Sequence, residues 1–174
     1  SRRTASAVPS RSTTCTASGL TGGVSYSFQV SALSTTGESD RSSVLAQSTA
    51  PAAVDAASMT FSSVTTTSMG VAWTAPASGA TPTGYIVYRD DGDSATPSIV
   101  VFEGDALTAT ASGLTGGTSY SFMVAALSAA GVGDVSGVSA QSTSPAAPLG
   151  LSSVTQTSTS ISLSWSASVV GAGG

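Results

Sequence analysis

Apolar positions recur at every second residue along most of the chain, the spacing of strands that bury one face, and no stretch carries helical spacing. Met69, Val71 and Trp73 alternate with Gly70 and Ala72; Tyr85 and Val87 alternate with Ile86 and Tyr88. Residues 99–102 form a short apolar run after Pro97, and Leu107, Ala109 and Ala111 alternate with threonines up to a glycine turn at 113–117. Tyr120, Phe122, Val124 and Ala126 make the clearest strand, and residues 138–143 close the set. With a lead strand at 59–64, the pattern predicts seven short strands and no helix, an all-β antiparallel sandwich.

Sliding the chain against itself shows a repeat. Residues 16–51 lie without gaps on residues 110–145, with 25 of 36 positions identical at an offset of 94. A looser match pairs the stretch ending at Trp73 with one ending at Trp165 that is two residues longer. The predicted layout is the end of one unit in residues 1–50, a complete unit in 51–144 and the start of another in 145–174. The flanks would bring the last three and the first two strands of their units, leaving Tyr26, Phe28 and Val30, and Ile161, Leu163 and Trp165, without a covering sheet. That arrangement fits a window on a longer array better than a filament of chains completing one another, because the third and fourth strands are missing from both flanks.

The unit resembles a fibronectin type III domain of the immunoglobulin-like sandwich superfamily. The residues that carry the resemblance are Trp73, the Tyr85-Ile86-Val87 strand, and the Leu114-Thr115-Gly116-Gly117-Thr118-Ser119-Tyr120 corner followed by Phe122-Met123-Val124. It implies seven strands per complete domain, a core that includes Trp73 and Tyr85, and a Tyr120 hydroxyl bonded back to its own loop. Alternation adds Val87, Phe122 and Val124 to that core, and the resemblance implies Leu114 as well. Gly116 stands where the family often has proline.

Composition narrows the chemistry. Only 8% of residues are charged, 36 are Ser and 24 Thr, and there is no His, Lys or Asn. No Ser-His-Asp or Cys-His relay, Schiff-base lysine or histidine metal site can be assembled from these residues, and no cofactor is expected. Net charge is -4, with Arg2, Arg3 and Arg11 holding three of the five basic groups, so there is no basic stripe for nucleic acid. No apolar run is long enough to span a bilayer. N-glycosylation has no acceptor, whereas Ser48, Thr49, Ser142, Thr143 and Ser144 beside prolines are potential O-glycan sites.

Three local features invite a functional reading. The run from Arg89 through Asp90, Asp91, Gly92 and Asp93 to Ser94 gathers carboxylates that could hold calcium, but its spacing fits no EF-hand, and Asp91-Gly92 is a strong hairpin-turn pair. Cys15, equivalent to Ala109, is expected on an inward face. Ile86, Tyr88 and Met123 are expected to share the outer face, with Val100 or Phe102 joining them, as an apolar contact patch. Arg-Gly-Asp is absent from the loops at 33–40 and 127–134. The expected role is a non-enzymatic structural, adhesion or scaffolding segment of a large extracellular or cell-surface protein, contacting neighbouring repeats or other proteins. The alternatives are a spacer or accessory module of a secreted multidomain enzyme, or an interaction subunit docked on a larger complex.

Overall fold

The structure is a computed structural model that describes residues 12–22, 24–93 and 95–168; Arg2, Arg3 and Arg11, and Ser94 of the acidic run, lie outside these. In the first part β1 (Ser25–Phe28) pairs antiparallel with β4 (Leu45–Ser48), and between them β2 (Leu33–Ser34) pairs with β3 (Gly37–Glu38). A 3-10 turn, Ala56–Ser58, is capped by the Asp55 carboxylate, which accepts from Ala57 N at 2.9 Å. Then follow β5 (Thr60–Ser62), β6 (Ser68–Ala72), β7 (Gly84–Arg89), β8 (Ile99–Gly104), β9 (Thr108–Ser112), β10 (Ser119–Ser128), β11 (Gly131–Val135) and β12 (Ser139–Ser142). The hairpin β13 (Leu149–Gln156) with β14 (Ile161–Ser166) ends the described chain.

Residues 60–142 fold as an immunoglobulin-like β-sandwich. One sheet runs β5-β6-β9; the other runs β8-β7-β10-β11, with β12 also paired to β10. Period-two alternation explains why they stack. Register sets Val124 beside Val87 and Ala126 beside Tyr85 in one sheet, and Met69 beside Ala111 and Val71 beside Ala109 in the other. Small alanines opposite larger residues let the layers interdigitate at crystal-like density. Phe61 meets Phe122 across the layers at 5.5 Å, and Trp73 meets Tyr85 at 5.6 Å and Phe102 at 6.0 Å.

Three expectations change. β12 lies where the closing strand is expected, but β11 already pairs with β10 from Gly131, so most of the expected 127–134 loop is a tight hairpin. That strand breaks at Ser136, whose hydroxyl takes the place of a backbone carbonyl by accepting from Val124 N at 3.0 Å, and the register shifts beside it. Leu107 precedes β9 and is exposed, although its carbonyl accepts from Trp73 N at 3.1 Å. Cys15 is exposed instead of inward, because the residues around it form no strand and so no buried face.

Candidate functional site

The loop before β10 is tied to the strands around it by side-chain hydroxyls. Thr115 N donates to Tyr120 Oη at 2.9 Å, Thr118 N donates to Thr143 Oγ1 at 3.1 Å, and Thr143 Oγ1 donates to Thr115 O at 2.6 Å. A phenol and a threonine hydroxyl thus satisfy three backbone groups that the turn would otherwise leave unpaired. The same set recurs 94 residues earlier: Thr21 N to Tyr26 Oη at 2.8 Å, Val24 N to Thr49 Oγ1 at 3.2 Å, and Thr49 Oγ1 to Thr21 O at 2.8 Å. Val30 N likewise donates to Ser42 Oγ at 3.1 Å, matching the Ser136 contact. The repeat is therefore a repeat of hydrogen bonding as well as of letters. Identity at 49/143 and 42/136 is the sequence signal for these clamps; alternation does not carry it, because hydroxyls have no hydrophobic period.

These bonds bear on two expectations. Thr143 is buried with its hydroxyl engaged, so it is no O-glycan acceptor in the folded sandwich, whereas Ser142 stays exposed. Replacing Tyr120 with Phe removes the acceptor for Thr115 N and is expected to cost about 1 kcal/mol, with faster exchange of the Thr115 amide. The matching change at Tyr26 should cost less, since its loop is largely exposed. Equal losses in urea titrations of the two variants would refute this difference.

At the end of β7 the acidic run does not converge. Asp90 is almost fully buried; its Oδ1 accepts from Gly92 N at 3.2 Å and Ser121 N at 3.0 Å. Asp91 points to solvent, 3.5 Å from Arg89 Nη1, and Asp93 turns away to accept from Ala95 N at 3.0 Å. Among the described residues no three potential metal ligands gather. Gly92, at φ +82°, makes the turn, and a Cβ there would stand 2.7 Å from Thr118 Cγ2. The Arg89 guanidinium lies 5.5 Å from the Tyr120 ring centroid and donates to Asp90 O at 2.7 Å. The cluster holds the β7–β8 turn against β10; it is a structural lock.

Of the other singled-out residues, Trp73, Tyr85, Val87, Leu114, Tyr120, Phe122 and Val124 all lie in the core. Burial pushes the Tyr85 phenol above its ordinary value, so it stays uncharged. The outer-face trio is less open than expected. Ile86 and Tyr88 are half-buried, and Met123 is only 9% exposed. Strand β10 has neighbours on both sides: Met123 pairs with Tyr88, and Ala125 sits between Ile86 and Val135. Flanking side chains from both strands shield the middle one. Phe102 does not join them, because it faces inward onto Trp73, while Val100 is exposed. No helix among the described residues is long and apolar enough to cross a membrane.

A family model described as Fibronectin type III domain matches residues 52–142. Chitinase A1 of Niallia circulans is 38% identical over 115 residues, covering 60% of this chain. Exoglucanase B of Cellulomonas fimi is 33% identical over 175 residues, covering 90% of this chain. The chain spans only 16% and 15% of these relatives' lengths. Among solved structures, a two-domain fibronectin type III segment from chicken tenascin matches with a TM-score of 0.51 at 21% identity, covering 72% of this chain and 68% of that one.

Proposed function

The chain belongs to the fibronectin type III domain family, and on that basis we propose that it is a non-catalytic segment of a tandem array, spacing or scaffolding other domains through contacts between proteins outside the cell. The observation that carries this reading is the second copy of the hydroxyl-tied corner at Tyr26 and Thr49, offset by 94 residues from that at Tyr120 and Thr143. Residues 1–50 and 145–174 are then portions of neighbouring units. Their apolar positions are what such portions would present: Trp165 is 60% exposed where its counterpart Trp73 is 4%, and Val30 is 73% exposed where Val124 is buried. A sandwich filled by its own side chains serves as a spacer because it presents a rigid body with short connections.

A second setting is favoured by the curated relatives. Both are enzymes by name, Chitinase A1 and Exoglucanase B, and the chain covers a small share of each. In that setting the segment holds a catalytic domain apart from another part of a secreted, polysaccharide-degrading protein. The intact mass of the native polypeptide containing these residues tests the array: it should lie far above 16.8 kDa, and a native species at that mass would overturn the reading. Hydrolysis of chitin or glucan by that same polypeptide would select the enzyme setting.

A further inference from the structure

We propose that one end of the central sandwich is a seat for the proline-alanine step of the linker that enters it, so that a unit fixes the direction of the chain preceding it. The inference rests on the tandem reading for its wider use but is built from contacts inside this chain. Pro51 is buried although it lies between folded segments, and two glycines make room for it. A Cβ on Gly133, in β11, would collide with the Pro51 carbonyl oxygen and stand 3.1 Å from its carbonyl carbon. A Cβ on Gly79, in the loop between β6 and β7, would stand 2.6 Å from Ala52 N and 3.3 Å from Pro51 Cα. Backbone from two separate parts of the sandwich therefore closes on the linker at distances that no side chain would permit. Proline suits the place because its φ is already set and it has no N–H to leave unpaired in the clasp.

The repeat supplies an internal comparison. Ser142-Thr143-Ser144-Pro145-Ala146 occupies the same place in its unit as Ser48-Thr49-Ala50-Pro51-Ala52, yet Pro145 is exposed. The linkers differ at one position in five, so the burial of Pro51 follows from the Gly79–Gly133 seat beyond it and not from the linker itself. On the upstream side both linkers lie against the glycine of the corner: a Cβ on Gly22 would be 3.7 Å from Ala50 O, and one on Gly116 3.3 Å from Ser144 O. A linker held at both ends is a stiff joint, and Pro145-Ala146 is the step that an equivalent seat on a following unit would receive.

Backbone 15N relaxation on the full chain tests the seat through the Ala52 and Ala53 amides. In the wild type their order parameters should reach about 0.85, the value of rigid strands, and in Gly133→Val they should fall below about 0.6. The Val87 and Val124 amides should not change. Asp134→Ala, exposed on the same hairpin, should leave Ala52 rigid. If valine disrupts the sandwich, Gly133→Ala keeps the test, since one added carbon already meets the Pro51 carbonyl. A mobile Ala52 in the wild type, or a rigid one in the glycine variants, would overturn the seat. Because the readout lies within this chain, its failure is separable from that of the array, which is read by native mass.

Discussion

Replacing Phe122 with alanine is expected to lower the stability of the central sandwich by about 3–5 kcal/mol, the range for emptying a buried aromatic site. Phe122 is fully buried in the middle of β10, with Phe61 of the opposite sheet 5.5 Å away, and its strand is held on both sides by β7 and β12. Strands tied on both flanks cannot move in to fill the space, so the cavity persists. Against a total of about 5–15 kcal/mol for a domain, this is enough to unfold a substantial fraction of molecules in mild denaturant. Phe28→Ala, the same change 94 residues earlier, should cost under about 1 kcal/mol, because Phe28 is only half-buried. Urea titrations of both variants give the comparison; a loss below about 1 kcal/mol for Phe122→Ala would mean that the two sheets do not share one core.

Asp90→Ala is the second large effect, expected at about 3 kcal/mol. The change strands two N–H donors, Gly92 N in the turn and Ser121 N on β10, beside a nearly inaccessible Asp90. A buried donor without an acceptor costs more than the net worth of the bond it lost, and bonds to a carboxylate are the stronger kind. Asn at position 90 keeps an oxygen in place and should recover more than half of the loss. Hydrogen exchange localises the effect: the Gly92 and Ser121 amides should speed up by a larger factor than their neighbours. Uniform acceleration across β10 would instead mean that Asp90 supports the whole strand, and unchanged exchange at those two amides would refute the lock.

The sandwich was legible in the sequence because alternation is a local property. A strand that buries one face must place apolar groups at every second residue, and Tyr120, Phe122 and Val124 do so whatever covers them. The repeat was legible for the same reason, since identity at an offset of 94 needs no knowledge of contacts. The polar clamps show in neither alternation nor the offset alone. Thr143 and Ser136 carry no hydrophobic period, and their role depends on segments 12 to 28 residues apart in the chain being brought within bonding distance. The outer face is less open than alternation implies, because alternation gives the side of a sheet but not the shielding that flanking strands provide, and Met123 lies on a strand with two neighbours. Cys15 is exposed because an inward face exists only where a strand forms.

By itself the sequence determined the all-β class, most strand positions within a few residues, the repeat at an offset of 94 and the lack of histidine and lysine among these residues. Tertiary structure decided which Asp is buried, which hydroxyls are engaged, how open the outer face is, and that Pro51 is seated while Pro145 is not. Periodicity and composition are written along one dimension. Burial, hydrogen-bond partnership and close backbone approach arise between segments distant in the chain, and only the packed fold brings those segments together.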